Sequence, residues 1–111
     1  MKTPKVYVPQ ENSRLNYLDA ERFGRIIFIT EENYSPIQSS RVNKKLMGLI
    51  QQTAQEFNPD TDFLLLTGSP ILIGYMFHLI MAKKGFVNVL QWDNFTREYL
   101  LIQFNPTQEE R

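Results

Sequence analysis

The sequence contains no cysteine and only one histidine, His78. Without thiols there are no disulfides, no thiolate nucleophile and no cysteine-held zinc or iron-sulfur centre, a composition that suits a reducing compartment. A lone histidine adds too little to rebuild a zinc site from other ligands, and no cofactor is expected. An excess of one charge is missing as well. Twelve Lys and Arg balance twelve Asp and Glu, so no global field draws the chain to nucleic acid or to an anionic membrane. The start, Met1-Lys2-Thr3-Pro4-Lys5, has no apolar run of the kind a secretory signal needs, so the cytoplasm is the expected location. Internal repeats and low-complexity segments are absent too.

What is present is enough for one folded core. Apolar residues are 42% and aromatics 13% of 111 residues, values of a globular chain that fits a single domain. The longest apolar stretch, FLLLTGSPILIGYMFHLIMA from Phe63 to Ala82, has the length of about 20 residues that a membrane span requires. Thr67-Gly68-Ser69-Pro70 interrupts it with turn residues, leaving one strand-length and one helix-length piece, so no membrane partner is expected.

Local patterns give an alternation of strands and helices. Lys5 to Val8 reads as a first strand, ended by Pro9. Asn16 can cap a short helical turn that Gly24 ends in a left-handed conformation. Arg25 to Thr30 (RIIFIT) has the continuous apolar pattern of a strand buried on both faces, which places it in the middle of the sheet. After a loop to Ser39 or Ser40, either of which can cap, Arg41 to Phe57 is amphipathic at helical spacing and Asn58-Pro59 stops it. Phe63 to Thr67 is a second buried strand, next to RIIFIT and running the same way. Pro70 starts a helix capped by Ser69, ended at Gly85, with Lys83 and Lys84 complementing its dipole. That helix is apolar nearly all round, which predicts cover on more than one side, by neighbouring elements or by another subunit. Phe86 to Trp92 and Arg97 to Phe104 form a hairpin, and residues 105–111 a polar, frayed tail. Together these predict a Rossmann-like or flavodoxin-like α/β domain over residues 1–111: a mostly parallel sheet of four to five strands, helices on its faces and a C-terminal β-hairpin.

Ligands of open parallel sheets bind beyond the carboxyl ends of the strands. There the sharpest feature is Thr67, Gly68 and Ser69, a glycine turn leading into a helix N-terminus, with Arg14, Asn16 and Arg41 as helpers for a nucleotide or phosphate ligand. The turn matches neither the dinucleotide fingerprint nor the phosphate-loop motif, and a plain strand-to-helix turn explains it as well. Ser69 lacks a nucleophile elbow. His78 lies nine residues further along the same helix, roughly 13 Å away at 1.5 Å per residue, too far to serve as its base. A packed helical histidine accounts for His78. No catalytic residue and no metal ligand is assigned: Glu31, Glu32 and Asp93 would hold magnesium only if their loops met. Arg41, Lys44 and Lys45 make the one basic cluster, read as a solvated face, and nucleic acid is not an expected partner.

The pattern Asn16-Tyr17-Leu18-x-Ala20-x-x-Phe23-Gly24, then Asp62-x-Leu64-Leu65-Leu66-Thr67-Gly68-x-Pro70-x-x-x-Gly74, then Leu90-x-Trp92-Asp93 and Tyr99, resembles small uncharacterised proteins encoded by tailed phages. The resemblance runs from Tyr7 to about Phe104. Many of those proteins carry aspartate where Ser69 stands, which argues against a shared catalytic role there. The resemblance implies a phage accessory protein in the host cytoplasm and brings no established activity with it. Two functions are expected to compete. One is a non-enzymatic interaction module that binds a host protein or forms a homo-oligomer through Tyr75, Met76 and Trp92; the other is a nucleotide or phosphate binder at Thr67-Gly68-Ser69.

Overall fold

A computed structural model describes residues 3–37 and 40–109. Five strands, β1 (Lys5–Val8), β2 (Arg25–Phe28), β3 (Phe63–Leu65), β4 (Val87–Asp93) and β5 (Glu98–Phe104), form one sheet in the order β2-β1-β3-β4-β5. The first four are parallel and β4–β5 is an antiparallel hairpin. This is the flavodoxin-like strand order with its last strand reversed. Helices α1 (Arg41–Glu56) and α2 (Pro70–Lys84) make the crossovers after β2 and β3.

The two faces are covered unequally. On one face, α1 through Leu46, Ile50 and Ala54 and α2 through Leu72, Met76 and Ile80 bury Tyr7, Leu64, Val87 and Val89. On the other, the β1–β2 connection holds only a 3-10 helix, Leu18–Arg22, and its Ala20 joins Val6, Val8, Leu65, Leu90 and Tyr99 in a smaller cluster. A five-residue helix cannot cover five strands, so Phe28, Trp92 and Leu101 keep 41%, 37% and 50% of their surface.

Much of the local chemistry is as the sequence predicts. The Ser69 hydroxyl accepts from the Ile71 N–H at 3.3 Å, Pro70 opens α2, and Gly85 closes it with φ 77°. The 20-residue apolar stretch is broken between β3 and α2, and among the described residues no helix is long and apolar enough to cross a membrane. Lys83 has a further role, donating to the Gln55 and Phe57 carbonyls and so capping α1.

Other expectations need correction. β2 runs the same way as β3 but is not its neighbour. β1 lies between them, and β2 is an edge strand whose residues are all half-buried or exposed. Ile27 packs toward the helices and Ile26 toward the 3-10 helix, so an edge covered on both sides yields the same continuous apolar run as a central strand. Asn16 accepts from the Leu18 N–H at 2.9 Å, but Gly24 does not adopt a left-handed conformation. It is needed for a close approach instead, since a Cβ there would lie 2.5 Å from the Pro4 carbonyl oxygen. Ser40 stands at the N-cap of α1 without a side-chain cap bond, and Ser39 lies outside the described residues. His78 is exposed on α2 rather than packed. The tail turns into a short helix, Pro106–Glu109.

Candidate functional site

The strand order puts the topological switch between β1 and β3, whose following loops diverge to opposite faces of the sheet. A cleft of about 680 Å³ opens there, bounded by Gln10, Glu11, Glu31, Asn33, Gly68 and Ser69. Gln10 organises it. Its Oε1 accepts from the Ser69 N–H at 2.6 Å and its Nε2 donates to Asn33, tying the loops after β1, β2 and β3 together. Gly68 makes this approach feasible. Its φ is +115°, and a Cβ would sit 2.4 Å from the Gln10 Cβ.

The arrangement is poorly suited to an anion. The Gln10 carboxamide already holds the amide that a phosphate would need at the start of α2, and Glu11 and Glu31 contribute negative charge to the rim. Of the six predicted ligand residues, Gly68 and Ser69 border the cleft, with Thr67 preceding them on the same turn. Asn16 borders a separate depression beside β2, and neither Arg14 nor Arg41 borders the cleft. Arg41 and Lys44 are exposed on α1, and Lys45 pairs with Glu32 at 2.8 Å. Among the described residues no three His, Asp or Glu side chains gather into a metal site, so Glu31, Glu32 and Asp93 do not combine.

The pKa values of Tyr7, Tyr17 and Tyr99 are all raised, first by burial, which is the wrong direction for a base or nucleophile at neutral pH. The Tyr7 hydroxyl is the one buried side-chain polar atom without a hydrogen bond among the described residues. Asp93 is lowered, first by the hydrogen bond from the Thr96 hydroxyl, and serves the β4–β5 turn.

The predicted interface residues separate. Met76 is wholly buried in the core and presents nothing to a partner. Tyr75 is half-buried, its hydroxyl receiving the Gln51 side-chain N–H at 2.6 Å across the α1–α2 groove. Only Trp92 keeps an exposed face, packed edge-on against Tyr99 with centroids 5.0 Å apart. The cover predicted for α2 is therefore supplied largely from within the chain, by the sheet, by α1 and by Phe77 leaning on Phe104.

Exposed apolar side chains are scattered over Leu18, Ile37, Ile71 and Phe95, but they follow one another along a strand on β5, which in the sequence reads only as half of a hairpin. Leu100, Leu101, Ile102 and Phe104 are 40%, 50%, 43% and 43% exposed on an edge strand that contains no Lys, Arg or Pro. One end of this edge is closed. The Asp19 carboxylate accepts from the Tyr99 N–H at 2.7 Å, and Arg22 Nη2 donates to the Tyr99 carbonyl at 2.6 Å. Both backbone groups of Tyr99 therefore point away from β4 and are held by the 3-10 helix. Only the near-continuous apolar run Leu100-Leu101-Ile102-x-Phe104, which lacks the apolar-polar alternation of a half-exposed strand, signals this in the sequence.

A flavodoxin-order sheet with a reversed edge strand, a polar cleft at its switch point and an apolar edge strand defines a mostly parallel α/β domain. The chain belongs to the Phage Pam3 gp32-like protein family, whose profile matches residues 4–106. Comparison with curated proteins and with solved structures finds no match.

Proposed function

We propose that this phage-family protein is a non-enzymatic interaction module that works by docking protein surface against β5 and the adjoining half-covered face of the sheet. The observation that carries the reading is the row Leu100, Leu101, Ile102 and Phe104 on an open edge strand. Native proteins normally blunt such edges with charge, proline or a covering element, and contiguous apolar surface of this kind marks a contact site. Trp92 and Phe95, the latter 98% exposed at the hairpin tip, extend the same fringe. A phosphate or nucleotide ligand at Thr67-Gly68-Ser69 is the weaker reading, because Gln10 occupies the helix start and the rim is acidic.

The test immobilises the wild-type chain and a Leu101→Lys/Phe104→Ser variant, and presents each with the free chain and with host-cell extract. Any retained host protein is identified, purified and bound again. The reading predicts at least one saturable protein ligand, the chain itself or a host protein, that the variant loses. It fails if neither ligand binds the wild type more tightly than the variant. A thermal-shift screen over mono-, di- and cyclic nucleotides should show no stabilisation. A shift equivalent to about 2.7 kcal/mol, the effect of ligand at a hundred times its dissociation constant, would move the function back to the cleft.

A further inference from the structure

We infer that the occupant of the β5 edge is a second copy of this chain, paired antiparallel about a two-fold axis through Ile102 to make a continuous ten-stranded sheet. This deepens the interaction reading above and rests on it.

The geometry of the edge limits the register. In an antiparallel ladder successive residues alternate between pointing their backbone groups inward and outward. Tyr99 points outward, as its bonds to Asp19 and Arg22 require, so Leu101 and Gln103 do too. Tyr99 is closed by those side chains, and the strand ends at Phe104. The free edge is therefore residues 100–104, a segment with Ile102 at its centre. A symmetric pairing that matches outward residues with outward residues and keeps clear of Tyr99 sets Leu101 against Gln103 of the second copy, and Gln103 against its Leu101. Ile102 then faces its own counterpart as a non-hydrogen-bonded pair.

Side chains agree with this register. Phe104 contacts Phe77 of α2, so Leu100, Ile102 and Phe104 share the face on which the long helices lie. Across the two-fold, Leu100 meets Phe104, Ile102 meets Ile102 and Phe104 meets Leu100, and three half-exposed side chains per copy become one apolar stripe. A two-fold contact demands such self-complementarity. Charge does not oppose it. The chain has no net charge, and Glu98, the only ionisable carboxylate on β5, falls at opposite ends of the pair. An edge of five residues gives a small contact, consistent with an exchanging dimer rather than an obligate one.

The absence of cysteine makes a register test direct. Ile102→Cys introduces a single thiol whose Cα, in the inferred pair, lies about 4.5 Å from its counterpart, within the range of a disulfide. Leu100→Cys places the two thiols about 14 Å apart along the strands at 3.4 Å per residue, out of reach. Under mild oxidation at roughly 100 µM, Ile102→Cys should convert mostly to covalent dimer and Leu100→Cys should not. Light scattering on the cysteine-free chain at that concentration should give an average mass above 13.1 kDa that rises toward twice that value as the protein is concentrated. Leu101→Pro, which removes an outward N–H that β4 does not use, should weaken association at least tenfold. Ile102→Lys provides the same readout with no change to the backbone.

A monomer at that concentration, a dimer indifferent to both Leu101→Pro and Ile102→Lys, or equal cross-linking of the two cysteine variants would each overturn the inference. A monomer, or a dimer built elsewhere, leaves the broader reading standing if a purified host protein still binds β5. Loss of both removes both.

Discussion

The two edges of the sheet are built on opposite plans. β2 is four residues long, begins with the exposed Arg25 and lies beneath the loop that carries Tyr17, whose ring packs edge-on against Phe28 at 5.1 Å. β5 is seven residues long, apolar through its middle and, among the described residues, closed only at Tyr99. A short, flanked, charged edge gives a second strand little to pair with, whereas a long apolar one invites it. The same 3-10 helix serves both edges, flanking β2 and clamping Tyr99, the second residue of β5, and its shortness leaves the far half of β5 open.

Matched substitutions should break this comparison most strongly. Ile27→Lys forces a charge into a position packed against the α1–α2 core, and chemical denaturation should show a loss on the order of 2–3 kcal/mol with no change in association. Ile102→Lys, on a residue 43% exposed, should cost less than about 1 kcal/mol and weaken association at least tenfold. If both behave alike, the edges are not distinct.

Asp19→Ala should sharpen the contrast at intermediate size. It strips the acceptor from the Tyr99 N–H and a partner from Arg22, at about 1–2 kcal/mol in a denaturant melt. Lengthening the free edge should also turn a discrete dimer into a wider distribution of species by light scattering. Unchanged stability and a single species would mean the clamp is incidental.

Smaller effects lie away from the edges and serve as controls. Tyr7→Phe removes a buried hydroxyl that has no partner, and should raise stability by about 0.5–1 kcal/mol without touching association. Any destabilisation would show that the hydroxyl is satisfied in solution. At the hairpin tip, Asp93 has its carboxyl held below the usual aspartate range, first by Thr96. A depressed acid supports the folded turn above its unfolded pKa and loses that support as pH falls through the folded value. The Thr96 amide resonance should therefore report a transition below the ordinary aspartate range, and a transition above it would contradict the turn geometry.

The difference between the edges also explains what could be read from the residues in advance. Features set by near neighbours were legible: Ser69 and Pro70 opening α2, Gly85 ending it, the amphipathic α1 and the β4–β5 hairpin. The α/β class followed from their alternation. Edge position was not legible, because RIIFIT draws its apolar character from the cover on either side, whichever strand lies next to it. Nor were the contacts that shape the two candidate sites. Gln10 reaches Ser69 across 59 residues, and Asp19 and Arg22 reach Tyr99 across 80 and 77. In the sequence these are ordinary polar loop residues. Only the strand order brings them to their partners, and that order is fixed by long-range packing rather than by local spacing.

Hydrogen exchange at the backbone amides of Leu101 and Gln103 tests the account most directly. These groups point out of the sheet and have no partner strand among the described residues, so protection that grows with protein concentration, while the Tyr99 amide stays protected throughout, is the predicted result. Exchange at Leu101 and Gln103 that is fast and independent of concentration, even in the presence of every protein the chain retains, would contradict the claim that β5 is the working edge.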